Sequence, residues 1–154
     1  MIDMEKIFFY ETPVGKICIG EENGCITHVT WTKIPKEYVL EETELIQSCK
    51  KQLEEYFAGK RKAFDLPLVP KGTAFQQKVW NALTEIPYGE TRTYGEIAAA
   101  VGNPKGARAV GMANNKNPIG IIIPCHRVVG ANGKLVGYAG GMEKKAFLLE
   151  LERK

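Results

Sequence analysis

The apolar pattern of this chain changes period once, and that change limits the folds open to it. Between Lys6 and Trp31 the apolar residues come in short β-branched and aromatic runs: Ile7-Phe8-Phe9-Tyr10, Ile17-Cys18-Ile19, and Cys25 to Trp31. Turn residues separate them, Thr12-Pro13-Val14-Gly15 first and then Asn23-Gly24. Such runs read as strands, and Asn-Gly between two of them signals a hairpin because both residues tolerate positive φ. From Leu45 the apolar spacing becomes three and four, through Ile46, Cys49, Leu53, Tyr56 and Phe57, and Gly59 follows as a stop. This half predicts two or three antiparallel strands backed by one helix. Gly59 to Thr73, with Lys60-Arg61-Lys62, Pro67, Pro70 and Gly72, reads as a linker.

The second half carries the punctuation of short helices. Thr73 and Gln76 have capping-box spacing ahead of Phe75, Val79, Trp80, Leu83 and Ile86, and Pro87-Tyr88-Gly89 ends that stretch. Thr93 and Glu96 repeat the box before Ile97 to Val101, closed by Gly102. Asn103-Pro104 reads as an N-cap with proline at the first helical position, opening a helix through Ala107, Arg108, Ala109, Val110, Met112 and Ala113. Two short helices joined by a tight glycine-containing turn form a helix-turn-helix pattern, which many non-binding cores share. The predicted fold is α/β of the α+β kind. A small N-terminal antiparallel sheet with a helix (residues 1–70) precedes a mostly helical C-terminal domain with a helix-turn-helix (residues 71–154).

Charge divides at the same place. Residues 1–70 hold 9 Lys/Arg against 12 Asp/Glu, a net −3, and residues 71–154 hold 12 against 6, a net +6. A basic half is what a phosphate-contacting surface needs, since Lys and Arg displace counterions from a nucleic-acid backbone; many basic faces nevertheless bind nothing. With 154 residues, 44% hydrophobic, the chain can bury a real core. It has no apolar run of about 18 residues, and Met1 to Lys6 lacks a signal-peptide pattern, so the expected location is cytoplasmic, or nuclear in a eukaryote. Cys18, Cys25, Cys49 and Cys125 form no C-x-x-C pair, so neither a disulfide framework nor a zinc ribbon is expected; Cys25 with His28 is the only close Cys/His pair, and a metal site there would need two further ligands from a chain with one other histidine. Cys18, Cys25 and Cys49 sit among apolar neighbours as ordinary core thiols.

Cys125 stands apart. After Asn117-Pro118, the run Ile119-Gly120-Ile121-Ile122-Ile123 reads as a buried strand or extended segment that delivers Pro124 and then Cys125-His126-Arg127. A thiol is a nucleophile only as thiolate, which nearby cations or a base favour and apolar burial opposes. Adjacent side chains on an extended segment face opposite ways, so His126 reaches Cys125 only if the backbone turns or a water intervenes. On composition and spacing alone, Cys125 is equally readable as nucleophile or as core residue, His126 as base or as a satisfied core histidine, and Arg127 as a phosphate contact or a solvated charge.

Pro124-Cys125-His126-Arg127-Val128 resembles the signature of the O6-alkylguanine-DNA alkyltransferase family, the methylated-DNA–protein-cysteine methyltransferases. The resemblance extends to Phe75-Gln76-Gln77-Lys78-Val79-Trp80, Ile86-Pro87-Tyr88-Gly89-Glu90-Thr91, Tyr94-Gly95, Gly102-Asn103-Pro104-Lys105, Ala107-Arg108-Ala109-Val110-Gly111, Asn114, Asn117-Pro118 and Gly137-Tyr138-Ala139-Gly140-Gly141. It is strong over the second half and looser over the first, where Tyr56 to Leu68 carries it.

The resemblance implies repair of O6-alkylguanine in double-stranded DNA by a monomer, in a stoichiometric and irreversible transfer that needs no cofactor; O4-alkylthymine is left open as a second substrate. It implies that Cys125 accepts the alkyl group, that His126 takes the thiol proton through a water, that Glu152 holds the histidine, and that Asn117 braces the turn. Tyr94, Asn103, Ala107, Arg108, Asn114 and Arg127 are implied DNA contacts, with Arg108 filling the gap left by a flipped nucleotide and the second helix docking in the minor groove. Val136, Tyr138, Ala139 and Gly140 are implied walls of the base pocket. Three rivals make different predictions: an alkyltransferase-like protein lacks the cysteine, a helix-turn-helix regulator has no use for this segment, and a cysteine hydrolase turns over many times.

Overall fold

The computed structural model describes residues 4–32, 34–138 and 140–154. Three antiparallel strands follow the predicted runs: β1 (Lys6–Thr12), β2 (Gly15–Glu22) and β3 (Cys25–Thr30). Asn23 and Gly24 both take positive φ, 53° and 77°, in the β2–β3 turn, as this hairpin geometry requires. A fourth strand, β4 (Val39–Leu40), runs parallel to β1, giving the order β3-β2-β1-β4. Two exposed residues cannot show a period, so this strand has no signature in the sequence. Residues 17–20 of β2 are consecutively buried, so both faces of this inner strand are covered.

Helix α1 (Glu44–Phe57) begins at Thr43, whose hydroxyl accepts from Ile46 N, and turns Ile46, Cys49, Leu53 and Tyr56 inward. Residues 59–73 do not hang free as a linker. Ile26 N donates to Pro67 O, Val69 N to Ile26 O, and the Gln52 carboxamide pairs with both backbone groups of Asp65, so the segment is tied along β3 and α1.

Both capping boxes form, starting α2 (Ala74–Thr84) at Thr73 and α3 (Tyr94–Ala100) at Thr93. Gly102, at φ 80°, ends α3, with Gly102 N bonded to Ala99 O and Asn103 N to Ala98 O, the paired bonds of a glycine C-cap. Helix α4 (Ala107–Asn115) starts later than Asn103-Pro104 predicts. Those two residues form the turn, and Gly106 is the N-cap. Trp80 Nε1 donates to Ala113 O and pins α2 to α4.

The run Ile119–Ile123 is not a strand. Apart from one bridge, Val29 to Ile119, it coils on itself, with Ile123 N bonded to Ile119 O and Ile121 at φ 68°. A β-branched residue in the left-handed region is strained, and Ile121 is held there by complete burial. The chain then makes a 3-10 turn at Cys125–Arg127, forms β6 (Val128–Val129) parallel to β5 (Arg92–Thr93), and ends in α5 (Met142–Arg153). One continuous core joins Ile17, Ile19 and Val29 of the sheet to Trp80, Val110, Ile119 and Leu148 of the helical half.

Candidate active site

Because residues 125–127 turn rather than extend, their side chains are distributed around one short helical turn. Cys125 and His126 are buried at 4% and 0% exposure. The turn is held by Asn117, whose Nδ2 donates to Ile123 O at 2.8 Å and whose Oδ1 accepts from Ile119 N at 3.0 Å. Asn114 adds a bond from its Nδ2 to Cys125 O at 3.3 Å.

Behind the cysteine lies an ionic knot. Glu152 on α5 accepts from His126 Nε2 (2.7 Å), Arg127 Nε (2.8 Å) and Nη2 (3.1 Å), the Tyr56 hydroxyl (2.5 Å) and Gly89 N (3.2 Å). Gly89 is at φ 81°, and that left-handed turn aims its amide at the carboxylate. Burial would raise the Glu152 carboxyl, yet hydrogen bonds from His126, Arg127 and Tyr56 hold it down at about 2. An ionised carboxylate only accepts, so Nε2 of His126 carries the proton and Nδ1 holds the lone pair. Nδ1 has no hydrogen-bond partner among the described residues. Burial pushes His126 below its ordinary value despite the pull of Glu152. A neutral imidazole with a free, oriented lone pair is a base.

Burial pushes the Cys125 thiol up, while Asn117, the Lys145 ammonium and Tyr138 pull the other way. The Tyr138 hydroxyl is enclosed without a well-formed hydrogen bond, so it acts on Cys125 as a neighbouring polar group. The resting group is therefore the thiol, and it needs the base. Lys145, which the sequence reading missed, is fully buried; its Nζ donates to Val136 O (2.9 Å) and Gly137 O (3.1 Å), and burial lowers its pKa to about 8. Its signal was present, because Lys145 shares a helix stripe with Leu148, Leu149 and Glu152 and so stands on the buried face of α5. By contrast, burial raises Cys18 to about 11 and Cys49 to about 12, values that leave both inert.

Cys125 opens onto a small cavity of about 20 Å³ walled by Trp31, Asn117, Gly120, Tyr138 and Gly140. A larger cleft of about 360 Å³ lies between β1, β2 and α1, away from Cys125, and contains neither cysteine nor histidine. Val136 turns its side chain to solvent instead of lining the small cavity; only its carbonyl is engaged, by Lys145 and by the Tyr94 hydroxyl at 2.8 Å. Ala139 lies outside the described residues.

The implied DNA contacts divide. Asn103 and Arg108 are exposed and Ala107 is half-buried, and α4 also exposes Ala109 and Met112. Asn114 is 1% exposed and is spent on Cys125 O. Arg127 is no phosphate contact either, since its guanidinium faces inward onto Glu152 and Ile86 O and lies over the Tyr88 ring. Both readings are corrected for the same reason, a side chain directed into the core. Among the described residues no group of three or more His, Cys, Asp or Glu is placed to hold a metal ion.

Fold and site together define a protein with a partly exposed helix pair that carries Arg108 and, packed against it, a buried thiol on the same 3-10 turn as a histidine bonded to a buried glutamate. The model of the 6-O-methylguanine DNA methyltransferase DNA binding domain matches residues 74–154, and that of the same family's ribonuclease-like domain matches residues 7–70. The chain is 57% identical to the methylated-DNA–protein-cysteine methyltransferase of Methanosarcina acetivorans, covering 93% of this chain and 95% of that one. It is 53% identical to the constitutive enzyme of that name from Bacillus subtilis, over 93% and 92%. The structure of Mycobacterium tuberculosis OGT in complex with DNA superposes with a TM-score of 0.91 at 45% identity, over 96% and 92% of the two chains. The chain belongs to the 6-O-methylguanine DNA methyltransferase family.

Proposed function

We propose that this protein repairs DNA by moving the alkyl group of O6-alkylguanine onto Cys125 Sγ, once per molecule. The observation that carries the assignment is the oriented His126 Nδ1 lone pair behind a thiol that faces a small, mainly apolar cavity. The Cys125 proton passes by way of water to His126, Sγ bonds the alkyl carbon, and the carbon–O6 bond breaks with its electron pair left on the base. The proton that left the thiol ends on the restored guanine, and the thioether remains. Glu152 stays ionised and stabilises the imidazolium that forms. Nothing breaks the carbon–sulfur bond afterwards, so the transfer is stoichiometric.

An O6 atom stacked in a duplex cannot reach this cavity, so the nucleotide must be turned out of the helix. Arg108, exposed at the start of α4, is the side chain placed to take its room, and Ala107 and Ala109 keep the approach of α4 close. Asn103 lies in the turn before α4, within reach of the backbone of the same duplex. Tyr94 exchanges its Val136 bond for the flipped nucleotide. Residues 71–154 hold the DNA surface and the acceptor, and residues 1–70 buttress them. The protein acts as a monomer, without cofactor or metal, in the cytoplasm; among the described residues no helix is long and apolar enough to cross a membrane.

The test is intact-mass spectrometry after mixing with a duplex containing O6-methylguanine, then peptide mapping, with a Cys125→Ser control. One methyl group confined to Cys125 and absent in the control is expected. Binding without mass gain would make the protein a lesion sensor, and a stream of products would make it a hydrolase.

A further inference from the structure

We infer that Trp31, carried at the end of β3 by the N-terminal sheet, sets the upper size of the alkyl group that Cys125 accepts. The indole is slotted between two glycines of the other half. A Cβ on Gly140 would lie 2.8 Å from Trp31 Cε3 and 3.0 Å from Tyr138 Cε2, and a Cβ on Gly120 would lie 3.3 Å from Trp31 Cζ3. No side chain fits at Gly140 unless the indole moves. The Tyr138 ring meets the indole edge-on, with centroids 5.9 Å apart.

The backbone beneath the indole is fixed as well. Val29 N donates to Pro118 O and Gly120 N to Val29 O, at 2.9 and 2.8 Å. These bonds clamp the strand end that carries Trp31 to the segment that carries Cys125. Trp31 Nε1 is buried without a hydrogen-bond partner. A buried unpaired donor is unfavourable, so no hydrogen bond holds the ring here; packing does, with the Lys144 ammonium 5.9 Å from the ring centroid, and the contribution of the indole to the site is shape.

That shape leaves about 20 Å³ beside the thiol. A space of this order holds one water-sized group, whereas a dry cavity that takes benzene is on the order of 150 Å³. A methyl group fills this space tightly and displaces the indole little. A benzyl group requires the ring to leave its slot, and the Gly120 and Val29 bonds oppose that movement. The protein is therefore selective for small alkyl groups, and the selecting residue lies outside the helical half that binds DNA.

This inference rests on Cys125 being the alkyl acceptor, and the experiment separates the two. Single-turnover transfer rates are measured for duplexes carrying O6-methylguanine or O6-benzylguanine, with the wild-type protein, W31F and W31A. The readout is the benzyl-to-methyl rate ratio, which the fraction of folded protein does not alter. The ratio is expected to rise by about tenfold in W31A, the scale of pocket discrimination by one or two missing carbons, and to rise less in W31F. A rise of less than about threefold in W31A, or in its place no rise in W31F should W31A fail to fold, overturns the inference. No methyl transfer by the wild-type protein would instead remove the alkyltransferase reading itself.

Discussion

The Tyr56 hydroxyl and His126 Nε2 bond the same atom, Oε2 of Glu152, at 2.5 and 2.7 Å. Tyr56 belongs to α1 in the sheet-bearing half, so the first half of the chain supplies a donor to the base of the second. With Arg127 Nη2 at 3.1 Å, three donors on one oxygen share its basicity. Removing the tyrosine hydroxyl leaves Glu152 a stronger partner for His126 and favours the imidazolium.

Tyr56→Phe is therefore expected to move the acid limb of the pH profile for alkyl transfer to higher pH, because His126 is protonated sooner as pH falls. The same change should cost about 1.5–3 kcal/mol of stability, the usual size for a hydrogen bond to a charged group. Single-turnover rates between pH 5 and 8, set beside urea unfolding, check both. A loss of stability with an unmoved limb would reduce Tyr56 to a packing residue.

Arg127 and Arg108 separate structure from DNA contact. Arg127→Ala leaves Glu152 buried with its main counter-charge gone, and breaking a buried pair from one side costs roughly 3–5 kcal/mol. Arg108→Ala removes an exposed side chain and should change stability by less than about 0.5 kcal/mol. Its expected effect is slower transfer from duplex DNA with unchanged transfer from the free O6-methylguanine base, because only the duplex needs its gap filled. Thermal unfolding and paired rate measurements distinguish the two arginines; a thermally silent Arg127→Ala would contradict the geometry.

What the sequence made legible was local. The Thr73/Gln76 and Thr93/Glu96 boxes, the Asn23-Gly24 turn and the glycine after α3 each act within a few residues, and each forms as read. The direction of a side chain on an irregular segment was not local. Arg127 turns inward because residues 125–127 coil in a 3-10 turn, and Ile119–Ile123 could not reveal its coil because five apolar residues suit strand and turn alike. Tyr56, 96 residues from Glu152, and Trp31, on a different element from Cys125, came into the site only through the fold.

Acid should destabilise the protein in two windows. His126 is held below 6.5 in the folded state, so below about that pH the unfolded chain takes up a proton the folded chain refuses. Glu152 is held at about 2 against 4.5 unfolded, so the stability it contributes is present above 4.5 and drains away as pH falls towards 2. Both effects have one sign. The urea midpoint is expected to fall from pH 7 to 5.5 and again from 4.5 to 3. Glu152→Gln should start lower at pH 7 and lose less over the second interval, and a midpoint that stayed level from pH 7 to 3 would contradict both assignments.

Alkylation should act on the fold through the same tightly packed site. Cys125 is 4% exposed beside a cavity of about 20 Å³, and a methyl group on sulfur also takes away the thiol's capacity to donate a hydrogen bond. Overfilling a close-packed site costs about 1–3 kcal/mol. In a chain of this length each kcal/mol lowers the melting temperature by about 2–4 °C. Methylated protein is thus expected to melt several degrees below the free form, and benzylated protein lower again, because the larger group must hold Trp31 out of its slot. Calorimetry on the free, methylated and benzylated proteins checks the order, and three equal melting temperatures would show that the site relaxes around the adduct and is not closed by the indole.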